Sequence, residues 1–412
     1  MSVMALSFLP INKSRQKEYN RKFRKYLIRR KRRQQNFFQA TNVSYADLLD
    51  KSKKFFQSPN SSNLVVLLRM MTTSGVWISH SYLRFLVSML EFSPQKHDLK
   101  TETGDTQDII QAIIKGKEIP TTRATHSDIF KAIYSELEYA HHNPDYSSPL
   151  KCPKIKPTIV LISGVLNEIF STAAFERGAK HLSELYNLEY IIAGVSGIKG
   201  STDNAKQIKK DLLKYIKNNP GKKLWLVCYS KGGVDALHFL KSNKEFSEAN
   251  ITGISTIAAP ILGSSHVNHK LIKLANSIHR YSDSKIYKMF DKKWDIFFKE
   301  FQKTLSESYQ KPWFKSNYDK LPQKLFYTAT ALEAEWYESH IWMMLTKIFF
   351  QSKSINDGVV DAENALFPAY FDGMNLGIIR GHHLVGTRSS TYSQEALLES
   401  HIIFLKHLNY LT

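Results

Sequence analysis

Between residues 158 and 260 the chain alternates two hydrophobic textures. Short, almost continuous apolar runs occur in "TIVLISGVLNE" (158–168), "EYIIAGV" (189–195), "KKLWLVCYS" (222–230) and "ITGISTIAAP" (251–260). Between them lie segments whose apolar residues recur every three to four positions: "AFERGAKHLSELY" (174–186), "NAKQIKKDLLKYIKNN" (204–219) and "GVDALHFLKSN" (233–243). An apolar residue at successive strand positions means burial on both faces, and helices between such strands supply the cover. The pattern therefore predicts an α/β fold with a mostly parallel sheet, and right-handed crossovers make it doubly wound. The alternation stops after "APILGSS", and residues 265–323 read as helical, aromatic and amphipathic. A further strand, "KLFYTATA" (324–331), then restores the sheet. "EAEWYESHIWMMLTKIFF" reads as a helix, and "SQEALLESHIIFLKHL" closes the chain as another.

Upstream of this region the periodicity is helical throughout. "VSYADLLDKSKKFF", "NLVVLLRMM", "SHSYLRFLVSML", "DTQDIIQAIIKG" and "SDIFKAIYSELEYA" all carry three-to-four spacing, with Ser127 and Asp128 as starters of the last. "HHNPDYSSPLKCPKIKP" (141–157) is rich in turn formers and reads as a linker. The expected organisation is a basic arm over 1–35, a helical N-terminal extension over 36–150, and a main domain over 151–412 with a helical insertion at 265–323.

Composition sharpens this picture at one point. The 412 residues are 42% hydrophobic, as a soluble protein with a sizeable core requires, yet the formal net charge is +20. Much of that charge sits in "NKSRQKEYNRKFRKYLIRRKRRQQ" (12–35), which holds twelve Lys or Arg against one Glu. Phe23, Tyr26, Leu27 and Ile28 give the segment a loosely amphipathic helical character. It reads either as a solvated arm or as a contact with an anionic membrane surface. Nucleic acid is the less favoured partner, since no RNA-binding motif or zinc-finger spacing accompanies the charge. Two cysteines, Cys152 and Cys228, make neither a disulfide framework nor a metal-ligand cluster, which fits a reducing, cytoplasmic setting. Neither a secretory signal nor a membrane span is expected, because charges or Pro10 break each apolar window.

The chemistry centres on "VCYSKGG" (227–233). Ser230 falls where a strand gives way to a helix, between Tyr229 and Lys231 and before Gly232 and Gly233. A tight strand-to-helix turn exposes a serine hydroxyl, needs small neighbours, and offers the next residue's N–H to a developing oxyanion. Cys228 stands where glycine is commoner. Lys231 either raises the local positive potential or is a solvent-facing start to the helix. A serine nucleophile also needs a base and a group to orient that base. Asp357 in "NDGVV" and His383 in "GHHLVG" follow in that order. Asp361 and His382 are rivals to them, and Asp357 with Gly358 is also ordinary turn chemistry. His266 and His340 read as ordinary polar or core histidines.

Together, "VCYSKGG", "TIAAPILGSS", "NDGVV" and "HHLVG" resemble the α/β-hydrolase superfamily, and within it the bacterial lipase- and esterase-like serine hydrolases, over roughly residues 155–412. The resemblance implies Ser230 as nucleophile, His383 as general base and then acid, and Asp357 as its orienter. The implied oxyanion donors are the backbone N–H groups of Lys231 and of Val165, which follows Gly164 in "LISGVLNE". Ser163 stands where the family often has histidine, so side-chain support of that loop differs. The 265–323 insertion takes the place of a cap, with Trp294, Phe297, Phe298 and Trp313 as candidate substrate-binding residues, or as residues that fasten the insertion to the core. The implied activity is cleavage of a hydrophobic, lipid-like carboxylic ester through a Ser-His-Asp triad and an acyl-enzyme, with no cofactor and no metal. The alternatives are thioester or polyester hydrolysis or acyl transfer on the same fold, and a non-catalytic module that binds anionic surfaces through its basic arm.

Overall fold

The computed structural model describes residues 57, 106–143, 145–164, 173–197, 199–265, 304–335, 354–387, 390 and 392–411. The chain divides into two units, one of Met1–Leu6 with Ser93–Thr412 and one of Ser7–Phe92. The elements from residue 106 onward all belong to the first unit, and the basic arm at 12–35 lies outside the described residues. In chain order the elements are α1 (Thr106–Ile114), α2 (His126–His142), β1 (Thr158–Ile162), α3 (Glu176–Tyr186), β2 (Tyr190–Ile192) and α4 (Ser201–Asn218). They continue as β3 (Leu224–Tyr229), α5 (Lys231–Ser242), α6 (Lys244–Asn250), β4 (Ile251–Ile257), α7 (Glu307–Lys315), β5 (Phe326–Glu333), α8 (Ala362–Ala365), β6 (Met374–Arg380) and α9 (Gln394–His407).

The six strands form one sheet in the order β2-β1-β3-β4-β5-β6, and every pairing is parallel. Strand order reverses at β1, so β1 and β3 lie side by side while their connections leave in opposite directions. The crevice at the C-terminal ends of two such strands is where open α/β sheets present their chemistry. β3 shows why its sequence is apolar at every position. Trp225, Val227 and Tyr229 enter one core cluster with residues of α1, α2, α3 and α9, whereas Leu224, Leu226 and Cys228 enter the opposite cluster with residues of α4 and α5. All six β3 residues are buried.

The helices of 106–142 belong to the first of these clusters. Ile109, Ile110 and Ile113 of α1 and Phe130, Ile133 and Leu137 of α2 share it with Ile159 and Leu161 of β1. The N-cap of α2 is Thr125, earlier than Ser127. Its hydroxyl accepts from the Asp128 N–H, and the Asp128 carboxylate accepts from the Thr125 N–H at 2.8 Å, a reciprocal capping box.

β6 is a strand that apolar periodicity alone does not reveal, for a physical reason. Its sequence "MNLGIIR" is only half-buried along most of its length, and it carries Gly377 at φ 85°. A Cβ at Gly377 would collide with the Ser127 hydroxyl of α2, so the strand gives up a side chain to let that helix lie on it. The helix predicted at "EAEWYESHIWMMLTKIFF" and most of the 265–323 insertion lie outside the described residues. Among the described residues no helix is long and apolar enough to cross a membrane.

Two buried histidines make this core sensitive to acid. His401 of α9 hydrogen-bonds the Leu397 carbonyl through Nδ1 at 2.8 Å, and its Nε2 meets the Thr330 hydroxyl at 3.2 Å. Burial lowers its pKa to about 4, against a partial rise from the Leu397 carbonyl. Burial, then the Lys241 and Lys231 charges, lower His238 to about 4 as well. An unfolded imidazole takes its proton near pH 6.5, so between there and about pH 4 the unfolded chain binds protons that the native one refuses. Stability is full at neutral pH and falls as the pH drops through that window. Urea titrations at pH 7 and pH 5 should differ by about 1–2 kcal/mol per histidine, and His401→Gln should remove its share of the difference.

Candidate active site

The turn after β3 places Ser230 at φ 53° and ψ −134°, a conformation that L-residues rarely adopt, immediately before α5. Its N–H donates to the Ile257 carbonyl at the end of β4 at 3.0 Å, and its own carbonyl accepts from Gly233 at 2.9 Å. Gly232 explains how the turn closes. A Cβ there would collide with both the Ile162 and Ser163 carbonyl oxygens, so only glycine lets the elbow rest on the end of β1.

Three groups that are far apart in sequence meet at this turn. The Ser230 Oγ lies 2.8 Å from the Nε2 of His383, which follows β6, and the His383 Nδ1 lies 2.7 Å from the Oδ2 of Asp357, on the loop beyond β5. A carboxylate only accepts, so the proton belongs on Nδ1 and Nε2 is left to receive the serine hydroxyl. The other Asp357 oxygen, Oδ1, accepts from the N–H groups of Val359 and Val360 at 2.9 and 2.8 Å, and the His383 N–H donates to the Asp357 carbonyl at 2.9 Å. The turn role and the histidine-holding role of Asp357 are thus filled at once by different oxygens. Asp361 instead stands at the N-cap position of α8, and its side chain accepts from the hydroxyls of Ser265 and Ser354. His382 is fully buried against Tyr392, its Nδ1 accepting from Leu384 at 3.1 Å.

Lys231 is not solvent-facing. It is 1% exposed, and its Nζ donates to both oxygens of Asp235 at 2.9 Å, one helical turn on. Asp235 also accepts from Ser201 Oγ at 2.5 Å and Asn204 Nδ2 at 2.6 Å. Burial raises the Asp235 carboxyl, and Lys231 with these hydrogen bonds opposes the rise. The Lys231 backbone N–H stands at the first position of α5, where a helix offers it no partner of its own. Val165 lies outside the described residues. Gly164, just before it, faces Ser230: a Cβ there would come 2.7 Å from the Ser230 Cβ and 3.1 Å from the Lys231 nitrogen. The Ser163 hydroxyl accepts from the Ala174 N–H at 2.7 Å and so holds the start of the chain toward α3.

Sequence reasoning did not anticipate Tyr229. Its ring stacks on the His383 imidazole at 5.5 Å and 27°, and the Phe175 ring packs against it in a T-shaped contact at 5.3 Å. A Cβ on Gly386 would lie 2.9 to 3.1 Å from the Tyr229 ring, so the glycine of "HLVG" admits that ring beside His383. Trp313, on α7, stacks on His238 of α5 at 3.9 Å and 11°. Trp294, Phe297, Phe298, His266 and His340 lie outside the described residues.

No family model matches the sequence, and no curated protein matches it either. Among solved structures, a metagenomic carboxyl esterase matches with a TM-score of 0.51 at 21% identity, covering 64% of this chain and 79% of its own. The mature lipase of Bacillus licheniformis matches at 0.41 and 19% identity over 58% of this chain and 91% of its own. Lipase 1 from Pelosinus fermentans matches at 0.40 and 13% over 60% and 98% respectively.

The elbow contact makes a testable contrast between two glycines. Gly232→Ala should cost about 2–3 kcal/mol, because carbonyl oxygens of β1 must move. Gly221→Ala, at φ 79° with nothing within 4 Å of the new methyl, should cost only about 1 kcal/mol of backbone strain. Thermal melts of the two variants would check the order. The parallel sheet, the elbow at the end of β3 and the likeness to the carboxyl esterase together establish that this chain has the α/β-hydrolase fold.

Proposed function

We propose that the protein is a serine hydrolase of carboxylic esters, with Ser230 as nucleophile, His383 as general base and then acid, and Asp357 as the residue that orients the base. The observation that carries this reading is the unbroken hydrogen-bonded line from Ser230 Oγ through both ring nitrogens of His383 to Asp357. In the first half-reaction Nε2 takes the hydroxyl proton as Oγ attacks the ester carbonyl. The imidazolium then returns that proton to the leaving alkoxide, which leaves an acyl-enzyme. Water repeats the sequence from the other side and regenerates Ser230. The Lys231 N–H, free of the helix ladder, points to one oxyanion donor, and Val165 is assigned as the second from its place after Gly164.

The likeness to a carboxyl esterase supports ester chemistry. The preference for an apolar acyl chain, with Trp294, Phe297 and Phe298 along it, rests on the aromatic content of 265–323. Trp313 is already committed to His238, which favours a fastening role for that residue. Contact of residues 12–35 with anionic membrane is assigned from their charge alone.

Two experiments test the reading. A fluorescent fluorophosphonate should label the wild-type protein and leave Ser230→Ala unlabelled, and p-nitrophenyl ester hydrolysis should fall by at least ~10⁴-fold in that variant. Labelling that survives in Ser230→Ala would overturn the assignment, and thioester substrates run in parallel would show whether the acyl donor is oxygen- or sulfur-linked. Gly386→Ala should lower kcat/KM by on the order of 10- to 100-fold through displacement of the Tyr229 ring from His383. Its melting temperature should change far less than that of Gly232→Ala.

A further inference from the structure

A second cluster of chemistry-bearing side chains lies in the core formed with α2. His141 of α2, His181 of α3 and Glu399 of α9 each offer one nitrogen or oxygen atom, and these atoms all lie within 4.8 Å of one another. Their side chains are nearly enclosed: His141 is 8% exposed and Glu399 2%, and residue His181 is 1% exposed. The His141 and His181 rings lie 5.4 Å apart, centre to centre.

The geometry points to a divalent transition-metal site, and we propose that it holds one zinc ion. The His141 Nε2 stands 3.7 Å from the Glu399 Oε2, too far for a hydrogen bond. Two ligands bound to one zinc at 2.0–2.1 Å in a tetrahedron stand ~3.4 Å apart, close to that spacing. The carboxylate is also held as a ligand should be. The Tyr186 hydroxyl donates to the other oxygen, Oε1, at 2.8 Å, which fixes the group and leaves Oε2 on the side of His141. Two imidazoles and one carboxylate suit zinc better than calcium or magnesium, which prefer all-oxygen shells.

A cation bound to these three ligands would cross-link α2, α3 and α9, whose contributing residues are 40 and 218 positions apart in sequence. Its effect is on stability, since none of the three residues belongs to the Ser230–His383–Asp357 line. Nothing in the spacing of the two histidines and the glutamate marks them as a set. The expectation of no metal site came from the scarcity of cysteine, and here the donors are nitrogen and oxygen.

The test uses the full chain without a histidine tag. Elemental analysis should find about one zinc per chain, EDTA dialysis should lower the melting temperature by on the order of 5 °C, and one equivalent of zinc should restore it. In His181→Asn and Glu399→Gln the zinc should be lost and the melting temperature should no longer respond to EDTA. Wild-type protein with neither zinc nor a response to added zinc would overturn the proposal, leaving an ordinary buried cluster of two histidines and a glutamate. Zinc retained at full stoichiometry in both variants would overturn it as well, because the ion would then sit elsewhere. Should both variants fail to fold, cobalt(II) titrated into EDTA-treated wild-type protein decides the matter. Intense visible bands of a tetrahedral site support the proposal, and their absence overturns it.

Discussion

The rest of the site depends on a contact that has no side chain in it. Gly232 brings the first turn of α5 onto the carbonyl oxygens of Ile162 and Ser163, a distance at which even a methyl group would collide. This approach pins the turn after β3 against the end of β1 and holds Ser230 at its positive φ. Strain of that kind persists only where the surroundings over-determine the backbone. Here the Ser230 N–H is bound to β4, its carbonyl to Gly233, and the turn rests on β1. The serine therefore points where the sheet sends it. The histidine and aspartate have to be brought to it.

That delivery runs through loops tied to the sheet at each end. The Gly381 N–H donates to the Glu333 carbonyl at 2.7 Å, which registers the chain after β6 against the end of β5. Gln394, at the start of α9, donates to the Val385 carbonyl at 2.7 Å. The Phe175 N–H reaches the Gly386 carbonyl at 3.0 Å, and the Phe175 ring supports Tyr229 under His383. The imidazole is thus held in place from its backbone, from its Nδ1 partner and from the ring face. Such redundancy suits the base role proposed for His383, which requires it to stay within hydrogen-bond reach of one oxygen while its own charge changes.

Legibility in the sequence followed burial. β3 could be read because both its faces are covered, so that the strand is apolar at every position and ends abruptly at the serine. Asp357 and His383 were legible as motif residues in a given order, but their mutual distance was not, since 26 residues and the whole of β6 separate them. β6 itself escaped notice because an edge strand that gives up a side chain at Gly377 to a crossing helix has neither an apolar run nor a clean alternation. Lys231 was misleading for the opposite reason. A lysine at the start of a helix is ordinarily solvated, and nothing local shows that it is buried on Asp235, which Ser201 and Asn204 hold in turn. Tertiary partners decided its meaning.

The buried Lys231–Asp235 pair makes the same point in energetic terms. Removing two charges from water costs several kcal/mol for each, and the attraction between them repays this only when the remaining donors and acceptors are also satisfied. Asp235 meets that condition, with both oxygens bonded to Lys231 and one further donor on each from Ser201 and Asn204 of α4. An apolar pair of similar volume would fill the space at less cost, but it would not fix an angle. A bidentate ion pair across one turn of α5, bonded in turn to α4, orients the very turn whose first N–H follows Ser230. The charges that weigh against stability are placed where orientation of the backbone matters most.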